Sequence, residues 1–151
     1  MRSKVTGFLL KGFLGNLAIS LGVLILASCG SGDAENIQGN WYSFDRDSVY
    51  FELYINDTMI VLNQQPIGPI GYDYALQDGK LIVSNAVGME RIWQIRDIKS
   101  ETMTLQDSLE TLQYSRLRLN KDFFSSLRDS SGYREFSENF KTRFALHSKQ
   151  Q

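Results

Sequence analysis

The chain has 151 residues, 16 Lys and Arg against 17 Asp and Glu, one His and one Cys, and a formal charge of −1. That length accommodates one domain with an appendage, and 42% apolar with 12% aromatic residues supports a packed core, which excludes wholesale disorder. There is no basic excess to mark a nucleic-acid binder, one Cys cannot close an internal disulfide, and one His cannot build a His-rich metal site.

Residues 1–28 contain no acid and three bases, Arg2, Lys4 and Lys11. An apolar run from Phe13 to Ala27 follows, broken only by Gly15, Asn16, Ser20 and Gly22. A basic start, an apolar middle and small residues before a cut describe a secretory signal. The run ends in Leu26-Ala27-Ser28-Cys29, which resembles the lipobox of bacterial lipoproteins. That resemblance implies thioether lipidation of Cys29, cleavage before it and acylation of the new amino terminus. The membrane is then a partner through the anchor, each buried acyl CH₂ contributing about 0.8 kcal/mol. The competing reading is a transmembrane anchor followed by an ordinary cysteine, because the run approaches spanning length. The single Cys falls where the lipobox needs it, which favours the lipoprotein. Gly30 stands where Asp would resemble the inner-membrane retention signal of enteric bacteria, so the resemblance leans toward the outer membrane, on its periplasmic or surface side. Residues 29–36 form a linker, whose Asp33 and Glu35 weakly resemble surface-export tethers.

From Gly39 to Leu119 the chain is a series of short β-rich runs separated by turn residues. Strands are expected at 39–45, 48–55, 58–63, 70–77, 80–85, 89–98, 102–106 and 111–119. Asn56-Asp57 reads as a two-residue hairpin, and Asp78-Gly79 as a type I′ turn, which needs positive φ at both central residues. Both prolines, Pro66 and Pro69, lie with Gly68 in the loop between the third and fourth strands. Eight sequential strands with no helical pattern between them predict an all-β antiparallel up-and-down barrel or half-barrel, since closure removes exposed edges. Such a barrel is just wide enough for packed side chains or one small ligand.

Gly39-Asn40-Trp41 opens the first strand and resembles the Gly-x-Trp signature of lipocalins and their calycin relatives. The resemblance covers residues 37–119 and is to the small lipocalin-like domains of Bacteroidetes-type lipoproteins. It implies that Trp41 plugs one end of the barrel, with a basic residue of the last strand over its ring, Arg116 first and Arg118 second. Two departures stand out: the chain has no Thr-Asp-Tyr motif, and its short strands predict a shallow cavity or none.

Residues 120–151 form a different region. Lys121–Arg128 reads as a short turn or helix, broken at Asp129–Gly132. Tyr133, Phe136, Phe140 and Phe144 then make one stripe of an amphipathic helix over 133–146, capped by Ser130 or Ser131. The expected role of the stripe is to pack on the barrel wall or mouth. The alternative is an exposed partner-binding helix.

Catalytic chemistry finds little purchase. His147 falls in the polar tail, and an acylated Cys29 leaves no thiol nucleophile. Asp45 and Asp47 read as turn residues, and Glu52, Asp73 and Glu90 as solvent-facing members of alternating strands. No cofactor, no metal and no enzymatic activity are therefore expected. The expected function is a lipid-anchored, envelope-located carrier of a small apolar or amphipathic ligand. Tyr50, Tyr54, Tyr72, Tyr74, Trp93 and Tyr114 are its candidate cavity lining, and Pro66, Gly68 and Pro69 its candidate lid. The alternative is a ligand-free module docking an envelope protein through the barrel face or the aromatic helix. A cavity of hundreds of Å³ separates the two.

Overall fold

The computed structural model describes residues 37–148; the expected signal segment 1–28, the lipidation site Cys29 and the linker 29–36 lie outside the described residues, as do 149–151. Eight strands follow one another: β1 (Gly39–Phe44), β2 (Tyr50–Ile55), β3 (Met59–Gln64), β4 (Gly68–Gln77), β5 (Lys80–Ser84), β6 (Glu90–Ile98), β7 (Thr102–Gln106) and β8 (Thr111–Arg116). Each pairs antiparallel with the next, and β8 returns to β1, so the sheet is a closed barrel. The β1–β8 seam is short, with Trp41 opposite Arg116 and Tyr42 opposite Ser115. Beyond it the Ser43 hydroxyl donates to the Gln113 carbonyl at 2.7 Å.

Local chemistry sets the turns. Asp78 (φ 52°) and Gly79 (φ 70°) both take positive φ, as a type I′ turn demands. The β2–β3 turn centres one residue later than Asn56-Asp57. The Asn56 side chain accepts from the N–H groups of Thr58 and Met59, each at 2.9 Å, which closes the turn on Asp57-Thr58. At the β1–β2 turn Asp45 likewise accepts from Asp47 and Val49. In β6 the register slips between Ile95 and Asp97. This bulge breaks the even alternation read from the sequence and brings Ile98, rather than Asp97, into phase with the core.

Two apolar clusters result. The inner one joins Trp41, Phe51, Leu53, Ile55, Ile60, Leu81, Trp93, Met103, Leu105 and Tyr114 inside the barrel, with Ile37. The second lies outside the barrel wall, where Tyr54 and Val61 meet Phe123 and Phe136. It is built by two helices, α1 (Phe123–Ser126) and α2 (Ser130–Ser148). Asp122 caps α1, accepting from the Ser125 N–H at 2.9 Å. Asp129, not Ser130 or Ser131, caps α2: its carboxylate accepts from the Gly132 N–H at 2.6 Å. The helix extends to Ser148 and so takes His147 out of the expected tail and into its last turn. Phe136 and Phe140 are buried against the wall, Phe144 is half-buried and Tyr133 is 37% exposed. The aromatic face of the helix is thus spent on the barrel, which answers against an exposed partner-binding stripe. Every strand is paired on both sides, and both clusters are built among the described residues 37–148, so a chain from residue 30 onward keeps the whole barrel and both helices.

Candidate functional site

The barrel has a closed end and an open end. At the closed end the Arg116 guanidinium lies over the Trp41 ring at 3.6 Å from its centroid. The Trp41 indole N–H donates to the Ile37 carbonyl at 2.8 Å, and Arg116 donates to the carbonyls of Gln38 at 2.6 Å and Ser100 at 3.0 Å. Gly39 has φ +116°, and a Cβ there would run into the Arg116 guanidinium. The glycine of Gly-x-Trp is therefore demanded twice, by its backbone and by the close approach of the cation. Arg118 instead stays on the surface and pairs with Glu101 at 2.7 Å.

Above this plug the barrel holds a cavity of about 390 Å³, floored by apolar side chains such as Phe51, Leu53, Leu81, Trp93, Leu105 and Tyr114. The short strands foretold a shallow cavity or none. They leave one of this size because only one end is plugged and the residues at the other are polar. Asp45, Gln64, Asn85, Glu90, Arg91 and Glu110 form its rim. Arg91 is the cation of that rim and is held firmly. Its Nε and Nη2 donate to Asp107 at 2.8 and 2.6 Å, Nη2 also donates to Glu110 at 2.6 Å, and the guanidinium lies 4.1 Å over Trp93. Burial acts to raise the Asp107 carboxyl. Hydrogen bonds from Leu109, Arg91 and Glu110 outweigh it and hold the group below its ordinary range.

Of the six aromatic residues expected in the lining, Tyr72, Trp93 and Tyr114 are there. Tyr74 packs against the inner cluster nearer the closed end, where its hydroxyl donates to the Asn56 carbonyl at 2.7 Å. Tyr50 and Tyr54 are not in the cavity: they point out of the barrel, beneath α2. Strand parity explains the correction. Trp41 faces inward and pairs with Leu53, so odd-numbered residues of β2 line the interior and even-numbered ones its outer face. Pro66, Gly68 and Pro69 do not form a lid. Gly68 and Pro69 belong to β4, opposite Gln64 and Asn63, and Pro66 sits in the short turn behind a cis Gln65–Pro66 bond. All three line a separate groove of about 300 Å³ between the β3–β4 hairpin and the helices.

The outer face of β2 holds a group whose burial sequence reasoning missed. Glu52 was expected to face solvent and is fully buried. Arg143 of α2 grips it with two hydrogen bonds, 2.6 and 2.9 Å. The Tyr50 hydroxyl donates to it at 2.5 Å and the Tyr54 hydroxyl donates to its other oxygen. Asn63 then donates to the Tyr54 oxygen at 3.0 Å. Burial first, and the Glu52 charge second, push both phenols far above their ordinary pKa of 10.0. His147 stacks on Tyr50 with ring centroids 4.6 Å apart. All of these side chains are occupied with one another, and they clamp the helix to the wall. Asp73 and Glu90, by contrast, are exposed as expected. Among the described residues no three His, Cys, Asp or Glu side chains converge as a metal site, and no helix is long and apolar enough to cross a membrane.

No protein-family model matches the sequence, and no curated protein matches it. The structure is similar to that of a lipocalin-like protein from Bacteroides uniformis ATCC 8492, with a TM-score of 0.41 and 8% sequence identity, over 54% of this chain and 99% of that one.

Proposed function

We propose that this protein is a lipid-anchored carrier of the bacterial cell envelope, held at the outer membrane through Cys29, that binds a small apolar or amphipathic molecule without catalysis. The observation that carries the binding reading is the cavity of about 390 Å³ with an apolar floor and one open end. The anchor rests on the lipobox at residues 26–29. Native mass spectrometry of residues 30–151, purified without detergent from a lipid-containing lysate, tests the first part. Reproducible extra mass that vanishes on organic extraction is the expected result. A protein still bare after incubation with fatty acids, sterols, haem-like compounds and long-chain alkylammonium ions would sink the carrier. For the anchor, Cys29→Ala is expected to abolish incorporation of a labelled fatty acid.

One observation favours the second reading, an interaction module that docks an envelope protein through the barrel. Ile67, Val87, Met89 and Leu109 are 62–79% exposed, all on hairpin turns at the open end. Apolar turn tips around a mouth suit contact with another surface.

A further inference from the structure

The barrel's charge is unevenly spread along its axis. Residues 37–119 hold eleven acids and seven bases. Within residues 37–119, the open end carries Asp45, Asp47, Glu90, Asp107 and Glu110 against Arg46 and Arg91. Around the closed end Asp57, Asp78, Asp97 and Glu101 are matched by Lys80, Lys99, Arg116 and Arg118. Most of the barrel's negative excess therefore sits around the cavity mouth.

The two mouth cations are already engaged. Arg91 is bound to Asp107 and Glu110 as described, and Arg46 lies 3.6 Å from Glu110. A ligand with an anionic head would have to compete with carboxylates for either of them. Glu90 lines the cavity and is exposed, and among the described residues its carboxylate makes no side-chain hydrogen bond or ion pair. An incoming positive charge meets that carboxylate without displacing anything. Clefts lined by one sign of charge focus their field on an approaching ion.

Resting on the carrier reading above, we infer that the cavity selects amphiphiles with an apolar tail and a cationic head, the tail on the floor of Phe51, Leu53 and Leu105 and the head at the Glu90 carboxylate. Fatty-acid carboxylates are disfavoured at this mouth.

Three probes with the same twelve-carbon tail separate the effects: dodecyltrimethylammonium, laurate and dodecyl maltoside, titrated below micelle formation into residues 30–151 at pH 8. Trp93 lines the cavity and Trp41 is sealed beneath it, so tryptophan fluorescence reports filling. The cationic probe is expected to bind about tenfold more tightly than laurate at low salt, since one unpaired carboxylate at ~6 Å in water favours the cation by about threefold and disfavours the anion by about threefold. Glu90→Gln should remove most of that gap, and about 0.5 M salt should narrow it in the parent protein. Laurate binding as tightly as the cation overturns the inference and leaves the carrier reading standing. A cationic preference indifferent to both Glu90→Gln and salt also overturns it. Binding of none of the three probes overturns the inference and the carrier together.

Discussion

Strands β2 and β4 lie one strand apart in the same closed sheet, yet they live in different environments. All six residues of β2 are buried, whereas β4 alternates along its ten between half-buried inward positions and exposed outward ones. The inward faces are alike: Phe51, Leu53 and Ile55 on one, Ile70, Tyr72 and Tyr74 on the other. The difference is made outside, where α2 covers β2 and leaves β4 bare. A covered outer face must find a partner for every polar group it carries. Hence Glu52 meets Arg143, Tyr50 and Tyr54, while Asp73 of β4 is left to water. At β2 the barrel wall is a three-layer structure of cavity, sheet and helix; at β4 it is a sheet between cavity and solvent.

The sharpest way to break this contrast is to remove the cation from the covered side. Arg143→Met leaves Glu52 buried among two phenols without its counterion. It is expected to lower unfolding free energy in urea by about 3–5 kcal/mol. The double variant Glu52→Leu, Arg143→Met should recover most of that loss, because the cost lies in the orphaned charge. A single variant as stable as the parent would mean that water already reaches Glu52.

Alkaline titration probes the same layer through Tyr50 and Tyr54, and the barrel interior through Tyr114. The phenols of Tyr50, Tyr54 and Tyr114 are raised, in each case by burial first. In the unfolded chain they ionise near 10.0. Their contribution is therefore intact below pH 10 and is lost as pH rises beyond it. The loss amounts to about 1.4 kcal/mol per pH unit for each tyrosine held neutral in the folded state. The chain has seven tyrosines. Absorbance of tyrosinate should show a fraction that ionises only as far-ultraviolet circular dichroism is lost. Smooth ionisation of all seven in a folded protein would show the helix to be loosely seated.

A smaller effect tests how the helix is launched. Asp129→Ala removes the acceptor for the Gly132 N–H and should cost about 1 kcal/mol, read as a lower urea midpoint at unchanged slope. The smallest belongs to the bare side: Asp73→Asn on β4 is expected to change stability by less than about 0.5 kcal/mol. A larger loss would show that β4 too is covered in solution.

Much of the barrel was legible in the residues. The eight strands lie within about three residues of the expected boundaries, because period-two patterning and the turn chemistry of residues such as Asp78-Gly79 act locally. The plug was legible too: Gly39, Trp41 and Arg116 meet as the Gly-x-Trp resemblance implied. The cavity was only half legible. Large aromatic residues on strands mark a face, but their type does not say which one. Tyr50 and Tyr54 were placed in the lining by type and belong outside by parity. Counting outward from Trp41 would have corrected them.

The sequence by itself determined the succession of strands, the turns and the amphipathic tail, which follow from spacing along the chain, while the closing pair came from the Gly-x-Trp resemblance. Only the tertiary structure decided that β2 is covered twice, that Glu52 is buried, that the proline loop flanks an outer groove and that the interior stays open. Those outcomes depend on where a helix comes to rest 91 residues further along, as Arg143 does on Glu52, and on how side chains from eight strands fill one volume. Alternation reports that a strand has two faces; it carries no information about what arrives to cover the second.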